Sequence, residues 1–444
     1  MASRFTSFAR IRAISPTSRL VLGFSGTLGL YYTSKLRGIH ADANATSMRV
    51  ERSNVRPQKG IYRVDSVCWP ANFPCEDHLS SLFINPFAWS FWSVYDGHVG
   101  PQAARHLDTH LLPNLVEKLA DLYTQKKNPE KDSIHSIIKN VFLDLDDEMV
   151  NKSAQFLRDQ PEGAPIKSMA ASVLQAALSG SCALVAFYEA NLRRLHVSVV
   201  GDSRAVLGRR RQTADGKTVY DVRVLSVDQT AKNPAEVARV TAAHPDEPQL
   251  ADTQRGRFLG WGITRAFGNG VMKWSRELQT WMADNVLGDR PRETCKTPPY
   301  FTAEPEITTT DVQPGDFMIM ASDGLWDCLS NEEAVGLVGL WLERKGNSNS
   351  SNSFWDAGLD FFSEENVVDR GELPVELKDE VTHYRRSWNA QKQFVNVDLN
   401  VARHLARNAL GGASKDLHVA LMSTPAPRAR HIRDDISAVV VFFE

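Results

Sequence analysis

The chain has 444 residues, of which 42% are hydrophobic and 23% are charged, so it carries enough apolar material for a large globular core. Its formal net charge is −2, and no strong positive field therefore favours nucleic acid as a partner. The five cysteines are scattered without a C-x-x-C pair, which excludes a disulfide framework and a zinc site.

The chain begins with a basic, serine-rich segment that has no acidic residue before Asp42. This composition is typical of a mitochondrial transit peptide, and we assign residues 1–40 to mitochondrial targeting, to the matrix or the intermembrane space. The long arginine-bearing start and the low cysteine content disfavour a secretory signal peptide. The uncharged stretch 20–34 is shorter than the roughly 20 apolar residues that cross a bilayer. Anchoring of the protein at the inner membrane through this stretch stays open as an alternative.

A globular pattern begins after a polar, unpatterned segment. Residues 41–58 predict a linker, and residues 59–444 a single domain. Aromatic and β-branched residues in IYRVDSVCW and SFWSVYD predict the first two strands. Two segments with apolar residues at helical spacing follow, and Pro113 is expected to kink the first of them.

Strands dominate the remainder of the chain. Strand-like runs are CALVAFYEA, RLHVSVVGD, RAVLGRR, VYDVRVLSVD, GDFMIMASDG and DDISAVVVFF. Helical patterns recur at NPAEVARVTAAH, NEEAVGLVGLWLER and VARHLARNALGG. Residues 345–392 are polar and weakly patterned, and they predict a surface insertion. This order of elements predicts an α+β fold, a layered β-sandwich of two antiparallel sheets flanked by helices.

Acidic residues recur where the apolar strands begin or end. They are Glu76, Asp77, Asp96, Asp202, Asp323, Asp434 and Asp435. One aspartate at such a place is usually a turn residue or a helix N-cap, and Asp-Gly is a common hairpin signal. Carboxylates gathered in one pocket, however, repel each other unless cations bind between them or some are protonated. Oxygen ligands favour Mg²⁺ or Mn²⁺ over Zn²⁺, so the repetition indicates a site for hard divalent ions.

Six stretches follow one another along the chain: VYDGHVG (94–100), SGSCALVAF (179–187), VVGDSRAVLG (199–208), ITRAFGN (263–269), MASDGLWDCLSNEEAV (320–335) and RDDISAVVV (433–441). In sequence and in order, these stretches resemble the metal-dependent protein phosphatase 2C family. Four further stretches are similar to the pyruvate dehydrogenase phosphatase branch: PANFPCED (70–77), FGNGVMKWSRELQ (267–279), YFTAEPEITT (300–309) and RNALGG (407–412). The resemblance implies a protein serine/threonine phosphatase that uses two Mg²⁺ or Mn²⁺ ions and a weaker third.

The resemblance also implies a metal ligand at each matching position. Asp96 is expected to bridge two ions, and the carbonyl of Gly97 to bind one of them. Asp323 and Asp434 are expected to complete the first ion, and Glu76 to support the second through water.

Three more residues receive roles in the same way. Asp202 is expected to hold the weaker third ion together with Asp323, and Asp77 to hydrogen-bond the water around the ions. His98 is expected to be the general acid that protonates the departing serine or threonine oxygen. Two ions about 3.5–4 Å apart lower the pKa of a shared water, which attacks phosphorus in line without a phosphoenzyme. The SGSCA stretch opens a strand rather than a strand-turn-helix elbow, which excludes a serine hydrolase.

Three positions depart from the family pattern. Asn72 stands where much of the family has an arginine that clamps the substrate phosphate, and Arg63 or Arg105 is the expected substitute. The pyruvate dehydrogenase phosphatase branch also resembles this chain in lacking that arginine. Asn269 replaces a usual aspartate, which predicts a weaker outer metal site or a weaker hydrogen bond behind the ligands. Asp435 stands where asparagine is frequent and adds a negative charge.

The leading interpretation is an active mitochondrial serine/threonine phosphatase whose substrate is the phosphorylated E1α subunit of pyruvate dehydrogenase. One alternative is an inactive or weakly active regulatory module that binds phosphoproteins or a partner complex. The crowded Asp96, Asp323 and Asp434 disfavour it, because a silent copy has no electrostatic reason to keep them. A second alternative, a hydrolase of small phosphate esters, stays open, since the active site alone does not distinguish the two substrates.

Overall fold

The computed structural model describes residues 50–247, 249–286, 288–347, 366–378 and 382–444. The predicted targeting segment 1–40, with its apolar stretch 20–34, lies outside the described residues, as does part of the insertion at 345–392. Within the described part of the chain, no helix combines the length and the apolar character that crossing a membrane requires.

Six antiparallel strands form the first sheet. In spatial order they are β1 (Val50–Val55), β2 (Ile61–Trp69), β18 (Ile436–Phe443), β15 (Phe317–Ala321), β9 (Arg204–Gln212) and β10 (Thr218–Val224). The last strand of the chain, β18, lies inside this sheet, and all of its residues are buried. Its continuous apolar sequence is typical of a strand that is covered on both faces.

Five antiparallel strands form the second sheet. In spatial order they are β14 (Glu306–Asp311), β8 (Arg194–Val200), β7 (Ala183–Glu189), β4 (Trp89–Tyr95) and β3 (His78–Ile84). Short pairings complete the strands: β5 (Gly97–His98) with β6 (Gly180–Ser181) and β13 (Phe267–Gly268), β11 (Ala251–Asp252) with β12 (Arg257–Phe258), and β16 (Val367–Asp369) with β17 (Gln393–Val395).

Helices cover the outer face of each sheet. The helices in the described ranges are α1 (Gln102–Gln125), α2 (Lys131–Asp147), α3 (Ser153–Arg158), α4 (Ile166–Val173), α5 (Gln175–Leu178), α6 (Pro234–Ala243), α7 (Gly270–Lys273), α8 (Arg276–Asn285), α9 (Asp323–Trp326), α10 (Asn331–Asn347), α11 (His383–Arg386), α12 (Val401–Ala409) and α13 (Lys415–Ser423). A π-helical turn (Glu148–Lys152) joins α2 to α3, and 3₁₀ turns lie at Asn85–Phe87, Arg370–Glu372 and Ala429–His431. The predicted first helix therefore continues past Pro113 to Gln125.

Alternation along β18 shows how the layers pack. Val439 and Val441 belong to the core between the sheets, which also contains Leu184 of β7. Val440 points to the other face and joins the core beneath α12, which contains Leu405. This two-residue period places successive side chains on opposite faces of a strand. The layers are thus helices, sheet, sheet and helices, and the predicted α+β sandwich is confirmed.

Two segments differ from the expectation based on sequence. Residues 50–55, predicted as part of the linker 41–58, form β1 instead. This edge strand is almost wholly exposed and polar, so no apolar pattern reveals it. In the predicted surface insertion, Leu373 and Tyr384 are buried and join the core beside the first sheet. The described part of that insertion therefore packs against the domain.

Candidate active site

Four of the aspartates singled out in the sequence lie where strands of both sheets end. Asp96 lies between β4 and β5, and Asp202 follows β8 after Gly201, so both extend from the second sheet. Asp323 begins α9 directly after Ser322, and Asp434 lies two residues before β18, so both extend from the first sheet. The fold of the sandwich therefore brings together residues that are far apart in sequence.

The carboxylates of Asp96, Asp202 and Asp323 are close enough to influence each other's protonation. Burial raises the pKa of Asp96 well above its usual range, and the charges of Asp323 and Asp202 among its neighbours raise it further. Burial and the charge of Asp323 likewise raise the pKa of Asp202. The pKa of Asp323 is raised to about 6, chiefly by burial. The pocket thus concentrates negative charge that a bound cation would relieve.

Cys182 lies within this group of oxygens. Its Sγ and one carboxylate oxygen from each of Asp96 and Asp202 lie within 4.8 Å of one another. The thiol donates to Asp202 Oδ1 at 3.2 Å, and the Cys182 backbone N donates to the Asp96 carbonyl at 2.8 Å. Burial raises the pKa of the thiol well above its usual range. Because the protonated thiol is a poor ligand for a hard cation, Cys182 orients the two aspartates instead.

Glu76 reaches the pocket through a close contact between its loop and Gly97. A Cβ at position 97 would lie 2.4 Å from the Glu76 carbonyl oxygen, so only glycine fits there. The Glu76 carboxylate accepts from the Gly100 backbone N at 2.6 Å and from Asn72 Nδ2 at 3.0 Å. Glu76 is thereby held beside Asp96, as the predicted role in a second ion site requires.

Asp77 and Asp435 lie behind the pocket and are buried. Asp77 accepts a hydrogen bond from Ser322 Oγ at 2.9 Å, and burial raises its pKa well above its usual range. The Asp435 carboxylate accepts from the backbone N of Ala71, from that of Asn72 at 2.8 Å and from that of Glu76 at 3.0 Å. From the sequence, Asp435 was expected only to add a negative charge. The structure shows that it holds the loop that carries Glu76 in place through these hydrogen bonds.

Replacing Asp435 with Ala is expected to lower the free energy of unfolding by about 3 kcal/mol. Three backbone N–H groups lose their acceptor, and each buried donor left without a partner costs about 1–3 kcal/mol. Urea unfolding in EDTA measures the change. Asp121→Ala, at an exposed position of α1, is the control and should shift the value by less than about 0.5 kcal/mol. Equal stabilities of the two variants would contradict the assigned role of Asp435.

His98 lies at the edge of the same pocket, in the small sheet formed by β5, β6 and β13. Its Nε2 donates to Asn269 Oδ1 at 2.8 Å. Both groups pack against Gly180, where a Cβ would lie 2.1 Å from each of them. Asn269 is in the left-handed backbone region, with φ of 48°, which asparagine tolerates. The asparagine that departs from the family pattern therefore orients the histidine.

A guanidinium that the sequence interpretation missed also lies at the site. Arg430 forms an ion pair with Asp434, and its charge opposes the raised pKa of Asp323 and of Glu76. The two expected substitutes for the clamping arginine lie elsewhere. Arg63 bonds Asp65 at 2.7 Å and the Leu399 carbonyl at 2.9 Å. Arg105 is exposed on α1, outside the cleft that Arg430 lines.

Two further acidic residues were not singled out in the sequence. The charges of Asp327 and Asp228 raise the pKa of Asp323 in addition to the effect of burial. Asp327 lies four residues after Asp323, one helical turn along the chain, so the spacing was a usable signal. Asp228 lies in a loop and pairs with Arg204 at 2.6 Å, and no local pattern indicates its position.

Comparisons with known proteins agree with this arrangement. Residues 73–367 match the family model described as protein phosphatase 2C. A protein phosphatase 2C homolog of Schizosaccharomyces pombe is 35% identical over 429 residues, covering 93% of this chain and 88% of the relative. The mitochondrial pyruvate dehydrogenase phosphatase 1 of Saccharomyces cerevisiae is 33% identical over 431 residues, covering 89% and 71%. The human mitochondrial pyruvate dehydrogenase phosphatase 2 is 31% identical over 282 residues, covering 61% and 49%.

The match to the family model covers more than half of the chain, and it includes the strand ends that carry Asp96, Asp202 and Asp323. The resemblance to the family and to its pyruvate dehydrogenase phosphatase branch is confirmed. The chain therefore belongs to the protein phosphatase 2C family of metal-dependent protein serine/threonine phosphatases.

Proposed function

We propose that the chain is a mitochondrial phosphatase that releases phosphate from the E1α subunit of pyruvate dehydrogenase with the help of two divalent ions. The observation that carries the reaction is that Asp96 and Asp323, from different sheets, meet in one acidic pocket, with Asp434 beside Gly324, where a Cβ would lie 3.3 Å from the Asp434 Cβ. Two relatives whose names specify mitochondrial pyruvate dehydrogenase phosphatases support the substrate and the location.

The donor set fits Mg²⁺ or Mn²⁺. Among the described residues, no Lys or Arg forms an ion pair with Asp96 or Asp202, although burial makes their charges costly. Oxygen-only ligands favour hard divalent ions. In our assignment Asp96 would hold both ions, and the Gly97 carbonyl, Asp323 and Asp434 would complete the binding of the first.

The other acidic residues complete the assignment. Glu76 would support the second ion through water, Asp77 would hydrogen-bond the surrounding water, and Asp202 with Asp323 would hold a weaker third ion. When bound, the ions neutralise the charge of the phosphate and activate the attacking water. Asp435 and Asn72 keep the Glu76 loop in place through the hydrogen bonds described above.

In this proposal His98 donates a proton to the departing serine or threonine oxygen. The 2.8 Å bond from Nε2 to Asn269 fixes the plane of the ring. Burial lowers the pKa of His98 to about 4 in the free protein, which favours the neutral ring at pH 7. A phosphate dianion beside the ring favours the imidazolium, because an opposite charge raises the pKa of a histidine. Substrate binding would thus raise the pKa of His98, and the ring would take up a proton from solvent at Nδ1, the nitrogen not bonded to Asn269, before donating it to the departing oxygen.

Phosphate release from the phosphorylated pyruvate dehydrogenase complex tests the proposed function. The protein with Mn²⁺ is expected to release phosphate from E1α, and EDTA is expected to stop the release. A phosphoserine peptide of unrelated sequence and a small sugar phosphate are the comparison substrates. Hydrolysis of the sugar phosphate alone would favour a small-ester hydrolase. Binding of phosphorylated E1α without release would favour the regulatory module.

A fusion of residues 1–40 to a fluorescent reporter is expected to accumulate in mitochondria, because a basic, acid-free start is the signal that import recognises. The control replaces the four arginines at positions 4, 10, 12 and 19 with alanine and should remain in the cytosol. Cytosolic fluorescence of the unchanged fusion would contradict the targeting assignment. Carbonate extraction of the same fusion distinguishes an inner-membrane anchor at 20–34 from a released protein, and protease protection distinguishes the matrix from the intermembrane space.

A further inference from the structure

A cleft of about 500 Å³ opens beside the acidic pocket. The side chains of Glu76 and Asn72 line one part of it, and Arg430 and His431 line another. Arg430 is the only lysine or arginine among the described residues that line this cleft. A substrate phosphate that approaches the pocket through the cleft therefore meets one guanidinium.

Arg430 carries its charge close to both halves of the proposed metal site. Its guanidinium pairs with Asp434, a proposed ligand of the first ion. Its charge also opposes the raised pKa of Glu76, the proposed support of the second ion. The Arg430 side chain nevertheless remains 43% exposed, so it is accessible from the cleft.

Asn72 lies on the same cleft but offers no positive charge. Its amide Nδ2 already donates to Glu76 Oε2 at 3.0 Å and to Asp435 Oδ2 at 3.2 Å. An amide engaged in this way does not replace a guanidinium, which binds phosphate oxygens through two parallel charge-assisted hydrogen bonds. A phosphate dianion in the cleft thus needs a cation from another part of the chain.

We propose that Arg430 binds the phosphate group of the substrate and substitutes for the arginine that is absent at position 72. This inference rests on the proposed phosphatase function. The guanidinium has five N–H donors, and one carboxylate accepts hydrogen bonds from only some of them. A cation bound to Asp434 would compete with Arg430 for the oxygens of the Asp434 carboxylate. The N–H donors of the guanidinium would then be available to the phosphate.

The alternative is that Arg430 serves only to neutralise Asp434. The two roles predict different responses to the loss of the charge. If Arg430 binds phosphate, its loss weakens phosphate binding while Mn²⁺ binding stays equal or becomes stronger, because a positive charge near the ions has been removed. If Arg430 serves only Asp434, its loss leaves phosphate binding at saturating Mn²⁺ unchanged, whatever its effect on Mn²⁺ binding.

The test measures inhibition by inorganic phosphate at saturating Mn²⁺, with p-nitrophenyl phosphate as substrate, for the wild type, R430Q and R430K. R430Q is expected to raise the inhibition constant of phosphate about 10- to 100-fold, as expected for the loss of a charge-assisted hydrogen-bonded pair. R430K should show a smaller rise, because a lysine keeps the charge but not the fork. The Mn²⁺ concentration at half-maximal rate should not rise in either variant.

Arg428 offers a matched control, since it is exposed two residues earlier and lies outside the lining of the cleft. R428Q removes the same charge and should leave the inhibition constant within about twofold, because exposed charges at longer range are screened. An unchanged inhibition constant in R430Q, or a change equal to that of R428Q, overturns the proposal.

Calorimetric titration of inorganic phosphate into the Mn²⁺-loaded proteins tests the role of Arg430 independently of the proposed catalytic function. The titration needs no turnover, so weaker binding by R430Q supports the role of Arg430 even if the wild type proves inactive. Equal binding by the wild type and R430Q overturns it, whatever the activity. Thermal unfolding of R430Q and R430K verifies that both are folded at the temperature of the titration.

Discussion

Asp96→Asn is expected to lower the Mn²⁺-dependent rate of phosphate release by at least about 1,000-fold. The substitution keeps the size of the side chain but removes the negative charge that we assign to bridging two ions. Metal ions supply several kcal/mol of transition-state stabilisation in such sites, and each 1.36 kcal/mol corresponds to a factor of ten in rate. Initial rates on phosphorylated E1α at saturating Mn²⁺ measure the effect.

Asp121→Asn is the matched control for this experiment. Asp121 is exposed on α1, and the same change there should leave the rate within about twofold. Folding of Asp96→Asn is not at risk, because replacing a buried carboxylate among like charges removes repulsion. Equal rates for Asp96→Asn and the wild type would show that Asp96 is not a metal bridge.

His98→Gln is expected to slow the release of phosphate from a phosphoserine peptide by about 100- to 1,000-fold, the usual contribution of a general acid. The same variant should lose less than about tenfold on p-nitrophenyl phosphate. The p-nitrophenolate anion leaves without a proton, so it does not need the acid that a serine oxygen needs. The ratio of the two losses is therefore the measurement that reports the role of His98.

His110→Gln is the comparison for His98→Gln, because His110 is an exposed histidine on α1. It should change neither rate by more than about twofold. Equal losses of His98→Gln on the two substrates would contradict a proton-donating role. Such a result would leave His98 as a residue that positions the Gly97 strand through its bond to Asn269.

Much of the sandwich could be predicted because its strands are long and apolar. β4, β7 and β18 are buried along their whole length, so most of their residues are apolar on both faces. β1 was missed for the opposite reason, since an exposed edge strand carries polar side chains and its pairing depends on β2. Residue propensities and the apolar pattern indicate which strands are buried, but they indicate little about an exposed edge strand.

The acidic pocket was predictable from repetition and resemblance rather than from any one residue. The Asp96-Gly97 pair alone is equally typical of a hairpin turn and of a metal site. Only the recurrence of acidic residues at strand ends favours the metal site. The contributions of Cys182 and Asp435 could not be predicted in this way. Cys182 acts through a contact with Asp202, and Asp435 through backbone donors more than 350 residues away in sequence.

The position of Arg430 at the cleft was likewise not predictable from the sequence. Arg63 and Arg105 were the substitutes expected from the sequence, whereas Arg430 is the arginine that lines the cleft with Asn72. One local signal was available, since Arg430 precedes Asp434 by four residues, the spacing of one helical turn. That spacing predicts an ion pair, but the shared cleft with Asn72 depends on the tertiary fold.

Anomalous scattering from crystals grown with Mn²⁺ locates the ions without any assay, so it shows whether Asp96 binds two of them. We expect two strong manganese peaks about 3.5–4 Å apart, both bound by the Asp96 carboxylate. One of them should also contact Asp323 and Asp434. Manganese that binds only away from Asp96, or no ordered manganese at saturating concentration, would contradict the account.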